Sequence, residues 1–283
     1  DNWIEHRLTL RDTIVIDNFA GNNYNSNYGR SGIILTEGLP ITFERVSTVE
    51  NWASSKVVTA AGNFWLPNFI TDCTFARNGS PDDRIQGTIF FFHAAEGGTD
   101  TNPEHNLGTQ ITNCRFIDNH CTTPQNSVSV AYFTNQIRIN NCIFAGNSVS
   151  DRGIAGFTLS GVENFAGRQG KASNCLVTGN YTTAADSGCG GVEVKGHSRL
   201  YNCIIWGNDG GDDPGNSYTP WGDSLYDGQS GNYGSTEIVS CVIQGLDDGT
   251  FGWLNSLAVM TDCFDADPML MNPWGDDGII GTD

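Results

Sequence analysis

The sequence is short of positive charge and of long apolar runs. Lys and Arg number 14 against 32 Asp and Glu, a formal net charge of −18. That balance speaks against nucleic acid or an anionic membrane surface as partner, and it leaves room for cations. No apolar run approaches the ~18 residues of a spanning helix, so membrane insertion is not expected. The opening DNWIEHRLTL lacks the basic, apolar and small-residue order of a signal peptide and reads as a trimmed or excerpted chain. No CxxC pair or Cys/His cluster suggests zinc, and no loop has the EF-hand spacing. Charged residues make up only 16%, whereas Gly reaches 35, a composition suited to many tight turns and to few helices. A length of 283 residues is within reach of one all-β unit.

What the chain does have is a repeated phrase. ITNCRFIDN (111–119) returns as LRDTIVIDN (10–18), FERVSTVEN (43–51), ITDCTFARN (70–78), INNCIFAGN (139–147), ASNCLVTGN (172–180), LYNCIIWGN (200–208) and IVSCVIQGL (238–246), eight copies in all. Their fourth residues are 33, 27, 41, 28, 33, 28 and 38 residues apart. A constant phrase with variable spacing indicates a solenoid whose loops differ from turn to turn. Positions four and six are apolar, the period of one strand face. Position one is apolar too, with opposite parity, so the chain must bend at position three. There stand Asp12, Arg45, Asp72, Asn113, Asn141, Asn174, Asn202 and Ser240. Asn and Asp visit the left-handed region most readily among non-Gly residues. Position nine is Asn in seven copies, among them Asn119, Asn147, Asn180 and Asn208, and is expected to make a second corner whose amides bond the backbone and one another.

Further strands are expected between copies, at 31–38, 56–62, 87–95, 126–133, 153–161 and 190–196. Two strands around an Asn corner plus this third strand close one turn of a parallel β-helix. The expected fold is all-β: a single right-handed parallel β-helix of about eight coils over residues 1–246, with an acidic Gly/Asp-rich segment at 247–283 packed on or capping the last coil. The phrase resembles those of right-handed parallel β-helix repeat proteins of bacteria, NCIFAGN at 141–147 being a close case. FDADPMLMNPWGDDGIIGTD (264–283) is similar to the segment that follows the last coil in large secreted or surface proteins of that group, and the resemblance implies that it continues in a longer parent chain. The resemblance implies an extracellular or cell-surface location. It leaves function open, because one fold hosts adhesins, structural repeats, lyases and hydrolases.

Six cysteines, Cys73, Cys114, Cys142, Cys175, Cys203 and Cys241, share position four with Thr13 and Val46, so the column reads as a slot for a small inward side chain. Parallel side-chain vectors would strain a bridge between stacked members. Cys121, Cys189 and Cys263 lie off the column, with no bridge assigned. Asp212, Asp213, Asp247, Asp248, Asp276 and Asp277 sit in Gly-interrupted acidic loops whose oxygens suit calcium, the one cofactor considered; solvated turn acids are the plainer reading. Trp65, Phe90, Phe92 and Tyr132 form a candidate interaction face, since TIFFFHAA fills both parities of its strand. Glu193, Lys195 and His197 alternate on one strand, but the neighbouring coils are read as offering Ala131 and Phe157 beside them, and no catalytic residue is assigned.

The leading expectation is therefore a non-enzymatic extracellular structural or adhesive β-solenoid. Its partners would be itself, end to end or laterally, or other surface proteins. The alternative is a polysaccharide-active lyase or glycoside hydrolase, or a carbohydrate-binding module, on the same scaffold.

Overall fold

The computed structural model describes residues 7–20, 34–37, 40–53, 58–61, 67–79, 90–93, 108–121, 128–134, 136–150, 153–161, 169–182, 188–210, 225–227, 236–246 and 259–270. Within them every strand pair is parallel and joins one coil to the next. The fold is a parallel β-helix. Positions one and two of each copy belong to the first sheet, exemplified by Thr109–Thr112, Ile137–Asn140 and Gly170–Ser173. Positions five to seven belong to the second, as in Arg115–Ile117 and Ile143–Ala145. The strands Leu8–Ile16 and Ile41–Val49 run through the corner without a break and join the two. A third sheet of seven strands closes the coil, ordered from Ile34–Glu37 to Leu225–Asp227.

The corner at position three is as expected from the sequence. Asp12, Arg45, Asp72, Asn113, Asn141, Asn174, Asn202 and Ser240 all have φ between 48° and 55°. The second corner differs by one residue. Positive φ falls at position eight, on Asp17, Glu50, Arg77, Asp118, Gly146, Gly179, Gly207 and Gly245. The Asn that follows turns inward and is buried: Asn51, Asn78, Asn119, Asn147, Asn180 and Asn208. Its role is to satisfy the bend rather than to make it.

The solenoid also continues past residue 246. The strand Val259–Thr261 pairs in register with Glu237–Val239, and Asp262 has a φ of 52°, the position-three value. Cys263 thereby joins the position-four column, packed against the core, where the sequence reading had left it outside. The segment 260–268 is a ninth, degenerate copy, and the boundary drawn at 246 falls inside the repeat.

The interior is built of columns one coil spacing apart, ~4.8 Å. At position six, Phe75 stacks on Phe116 at 4.8 Å and 16°, and Phe116 on Phe144 at 4.7 Å and 5°. Phe133 from the third sheet meets Phe116 and Phe144 edge-on. Phe90 is fully buried and makes the same edge contact with Phe116, so it is a core residue and not part of an outward face. Its neighbours above and below, Val58 and Ala131, are buried as well.

Candidate functional site: columns and outer faces

The six buried asparagines of position nine, with the exposed Asn18 on the first coil, form one continuous hydrogen-bonded file. The side-chain nitrogen of Asn18 donates to Asn51 Oδ1 at 2.9 Å, Asn51 to Asn78 at 3.1 Å, Asn78 to Asn119 at 3.1 Å, Asn119 to Asn147 at 2.9 Å, Asn147 to Asn180 at 2.8 Å and Asn180 to Asn208 at 2.9 Å. Each acceptor oxygen takes a second bond, from the backbone N–H of the preceding Asn. From Asn51 onward each amide's other hydrogen goes to a carbonyl of the previous coil, such as Phe75, Phe116 or Phe144, whereas Asn18 donates to Ile16 of its own coil. In the middle of the file no polar atom is left over, which is what burial of an amide demands. The file stops after Asn208, because Leu246 offers no amide.

The exposed corner asparagines form a second, outer file. Asn113 donates to Asp72 Oδ1 at 3.0 Å, Asn141 to Asn113 at 2.8 Å and Asn202 to Asn174 at 2.7 Å. Asn174 breaks the step and reaches Asn140 at 2.8 Å.

The cysteines make a third column, and all nine thiols are free. Each position-four thiol donates to the carbonyl two residues earlier, for example Cys73 to Thr71 at 3.2 Å, Cys142 to Asn140 at 3.3 Å and Cys203 to Tyr201 at 3.3 Å. In the first coil the Thr13 hydroxyl does the same to Arg11 at 2.8 Å. The slot therefore favours a small side chain with a donor, which explains Thr beside Cys. Burial pushes the Cys114 thiol up, and hydrogen bonding to Cys175 with burial raises Cys203 to about 12. Such thiols stay protonated near neutrality and are poor nucleophiles.

On the outside, the third sheet carries a polar cluster that the sequence reading mispaired. Glu193 lies opposite Thr158, and Thr158 opposite Tyr132, while Phe157, one residue earlier, pairs with Val192 and Ala131. Thr158 donates to Glu193 Oε2 at 2.8 Å, Lys195 Nζ holds Glu193 Oε1 at 2.8 Å, and Ser129 hydrogen-bonds Thr158. The Glu193 carboxylate is 4% exposed while Lys195 is 26% exposed, so this is a shielded ion pair with one open end. It brings one acid and one base together; the groups for a paired-carboxylate mechanism are not assembled in it. Tyr132, half-buried, belongs to the rim of this cluster.

The first sheet carries a file of cations immediately before position one. Arg138, Lys171 and Arg199 stand in register on consecutive coils. Lys171 Nζ lies 4.5 Å from the centre of the Tyr201 ring, and Arg199 pairs with Glu237 at 2.9 Å. Burial, aided by a hydrogen bond to Glu237, raises the Tyr201 phenol above its ordinary value. The sequence holds this signal in QIRINN, GKASN and SRLYN, where one residue before each copy is basic. Reading within the copies alone passes over it.

Asp212, Asp213, Asp247, Asp248, Asp276, Asp277 and Trp65 lie outside the described residues, as does the side chain of Phe92. Among the described residues no group of three or more His, Cys, Asp or Glu is placed to hold a metal ion, and no helix is long and apolar enough to cross a membrane. No family model, curated protein or solved structure matches the chain.

Proposed function

We propose that the chain is a non-enzymatic structural or adhesive β-solenoid of the bacterial right-handed β-helix kind, working outside the cell or at its surface. The observation that carries the reading is the unbroken Asn18-to-Asn208 file, which fixes the coils in one register and spends the interior polar groups on geometry. A rod of nine coils, about 40 Å long at ~4.8 Å per coil, presents long invariant faces suited to display and assembly. Exposed apolar side chains at the two ends of the stack, Ile14 and Ile16 on the first coil and Phe264 on the last described one, favour end-on contact with further coils or a second copy. Sedimentation velocity over a wide concentration range, with electron microscopy of the same samples, tests this. Elongated particles that lengthen with concentration support it, and a monomer at every concentration goes against self-assembly.

The second reading, a polysaccharide-active enzyme, has one observation in its favour: the shielded Glu193 beside Lys195 and Thr158. Incubation with neutral and anionic polysaccharides, followed by measurement of new reducing ends and unsaturated products, decides it. Release abolished by Glu193→Gln would replace the non-enzymatic reading.

A further inference from the structure

Cations on this rod are generally matched by an acid on an adjoining coil or the same strand. Arg45 pairs with Asp12 at 2.6 Å, Arg11 with Glu44 at 2.8 Å, Arg77 with Glu50 at 2.9 Å and Arg199 with Glu237 at 2.9 Å. Acids exceed bases by 18, so partners are plentiful. Arg138 and Lys171 depart from the pattern. They are exposed, stand side by side in register ~4.8 Å apart, have Arg199 as the next member of the file, and make no ion pair among the described residues. Like charges directly opposite each other on paired strands destabilise a sheet. A fold with acids to spare has kept that unfavourable arrangement on a flat, rigid face.

The surroundings narrow what would neutralise it. Beside Arg138 and Lys171 runs a second file in register, in which Asn140 and Ser173 stand on the coils of those two cations, with Thr112 on the coil before and Tyr201 on the coil of Arg199. Ser173 donates to Asn140 Oδ1 at 3.1 Å, and the Asn140 side-chain nitrogen has no acceptor among the described residues. An Arg fork, a Lys point charge and neutral donors at regular spacing along a straight track fit a straight polymer with separated carboxylates and many hydroxyls. A molecule of charge −18 repels any polyanion, and most of all double-stranded nucleic acid with a charge every ~1.7 Å of axis, so the occupant that fits two or three cations is one whose negative charges are widely spaced.

We propose that Arg138, Lys171 and Arg199, with Asn140 and Ser173 beside them, form a docking track for a linear polysaccharide bearing carboxylates. This deepens the adhesive reading above and rests on it.

The test uses the full chain and polygalacturonate in affinity electrophoresis and titration calorimetry, with neutral galactan and polyglutamate as comparison polymers. The expected result is binding to polygalacturonate that weakens with salt, is at least tenfold weaker in the double variant Arg138→Ser/Lys171→Ser, and is unchanged in Arg115→Ser, whose cation lies on the second sheet, off the track. The double variant should melt close to the parent, since removal of the like-charge contact offsets loss of the Lys171 contact with the Tyr201 ring. Absence of binding at low salt, equal binding by the double variant, or preference for galactan or polyglutamate overturns the track. So does an oligomer of the free chain that the double variant dissociates, because a second copy would then be the occupant. Polymer cleavage is followed in the same samples. Cleavage with binding intact removes the non-enzymatic reading while the track stands, and failure to bind by elongated, self-associating particles removes the track while the rod stands.

Discussion

Asn147 donates its side-chain amide to Asn180 Oδ1 at 2.8 Å and to the Phe116 carbonyl at 2.9 Å, and its own oxygen accepts from the backbone and side chain of Asn119. One residue thus connects three coils. Asn147→Ala leaves the Asn119 backbone N–H, and one hydrogen of its side-chain amide, without an acceptor in a dry interior, at a cost of about 2–3 kcal/mol. Asn113→Ser, at an exposed corner where Ser240 already stands in the equivalent position and only the solvent-exposed bonds to Asp72 and from Asn141 are lost, should cost about 1 kcal/mol or less. Urea denaturation of the two variants checks both, and equal losses would contradict the distinction between inner and outer files.

The thiol column predicts chemical silence. In the native protein the buried Cys73, Cys114, Cys142, Cys175, Cys203 and Cys241 should resist a disulfide reagent on the timescale of unfolding, with the half-buried Cys263 reacting first. All nine should react at once in denaturant. Rapid native reaction at several column thiols would show that the column opens.

Stability should respond to acid through His120, whose ring nitrogen Nδ1 lies 2.5 Å from Ser148 Oγ. Burial lowers its folded pKa below the ordinary 6.5, with the nearby Asp118 opposing. The unfolded chain then takes up the proton first as pH falls through 6.5, so stability is lost on the acid side of that value. Asp118 acts in a different window: burial raises its carboxyl above 3.8, so its contribution is lost as pH rises from there through the folded value. Melting temperature against pH should be flatter below 6.5 in His120→Gln than in the parent. Parallel profiles would remove His120 from the account.

Two sequons, Asn78-Gly79-Ser80 and Asn180-Tyr181-Thr182, place their asparagines inside the buried file. Secreted from a glycosylating host, the folded fraction should carry no glycan on either residue, and any glycosylated chain should be found misfolded. Peptide mass mapping of the soluble fraction reads this directly. A glycan on folded Asn180 would mean that its amide is not where the file requires it.

Much of this architecture was legible because the coil phrase repeats side-chain parity, and parity fixes what faces inward. The corner at position three could be read because Asn113, Asn141, Asn174 and Asn202 are residues that accept positive φ. The second corner was placed one residue late: Asn119 is also a turn former, and nothing local distinguishes an Asn that makes a bend from one that fills it. The ninth copy escaped because Asp265 and Pro268 stand where the phrase has an apolar residue and Asn. On the third sheet, linkers of unequal length hide cross-coil register, so Thr158 rather than Phe157 faces Glu193. Phe90 looked outward-facing from composition, while parity within the coil turns it into the core. The cation file was visible all along one residue outside the phrase, and it had meaning only once strands were seen to stack in register.

A shared file of buried amides locks the coils into one rod. Hydrogen exchange of individual Asn side-chain amides by NMR tests it most directly. Asn51, Asn78, Asn119, Asn147 and Asn180 should exchange only with global unfolding, while Asn113, Asn141 and Asn202 exchange freely. Similar rates in the two sets would contradict the claim.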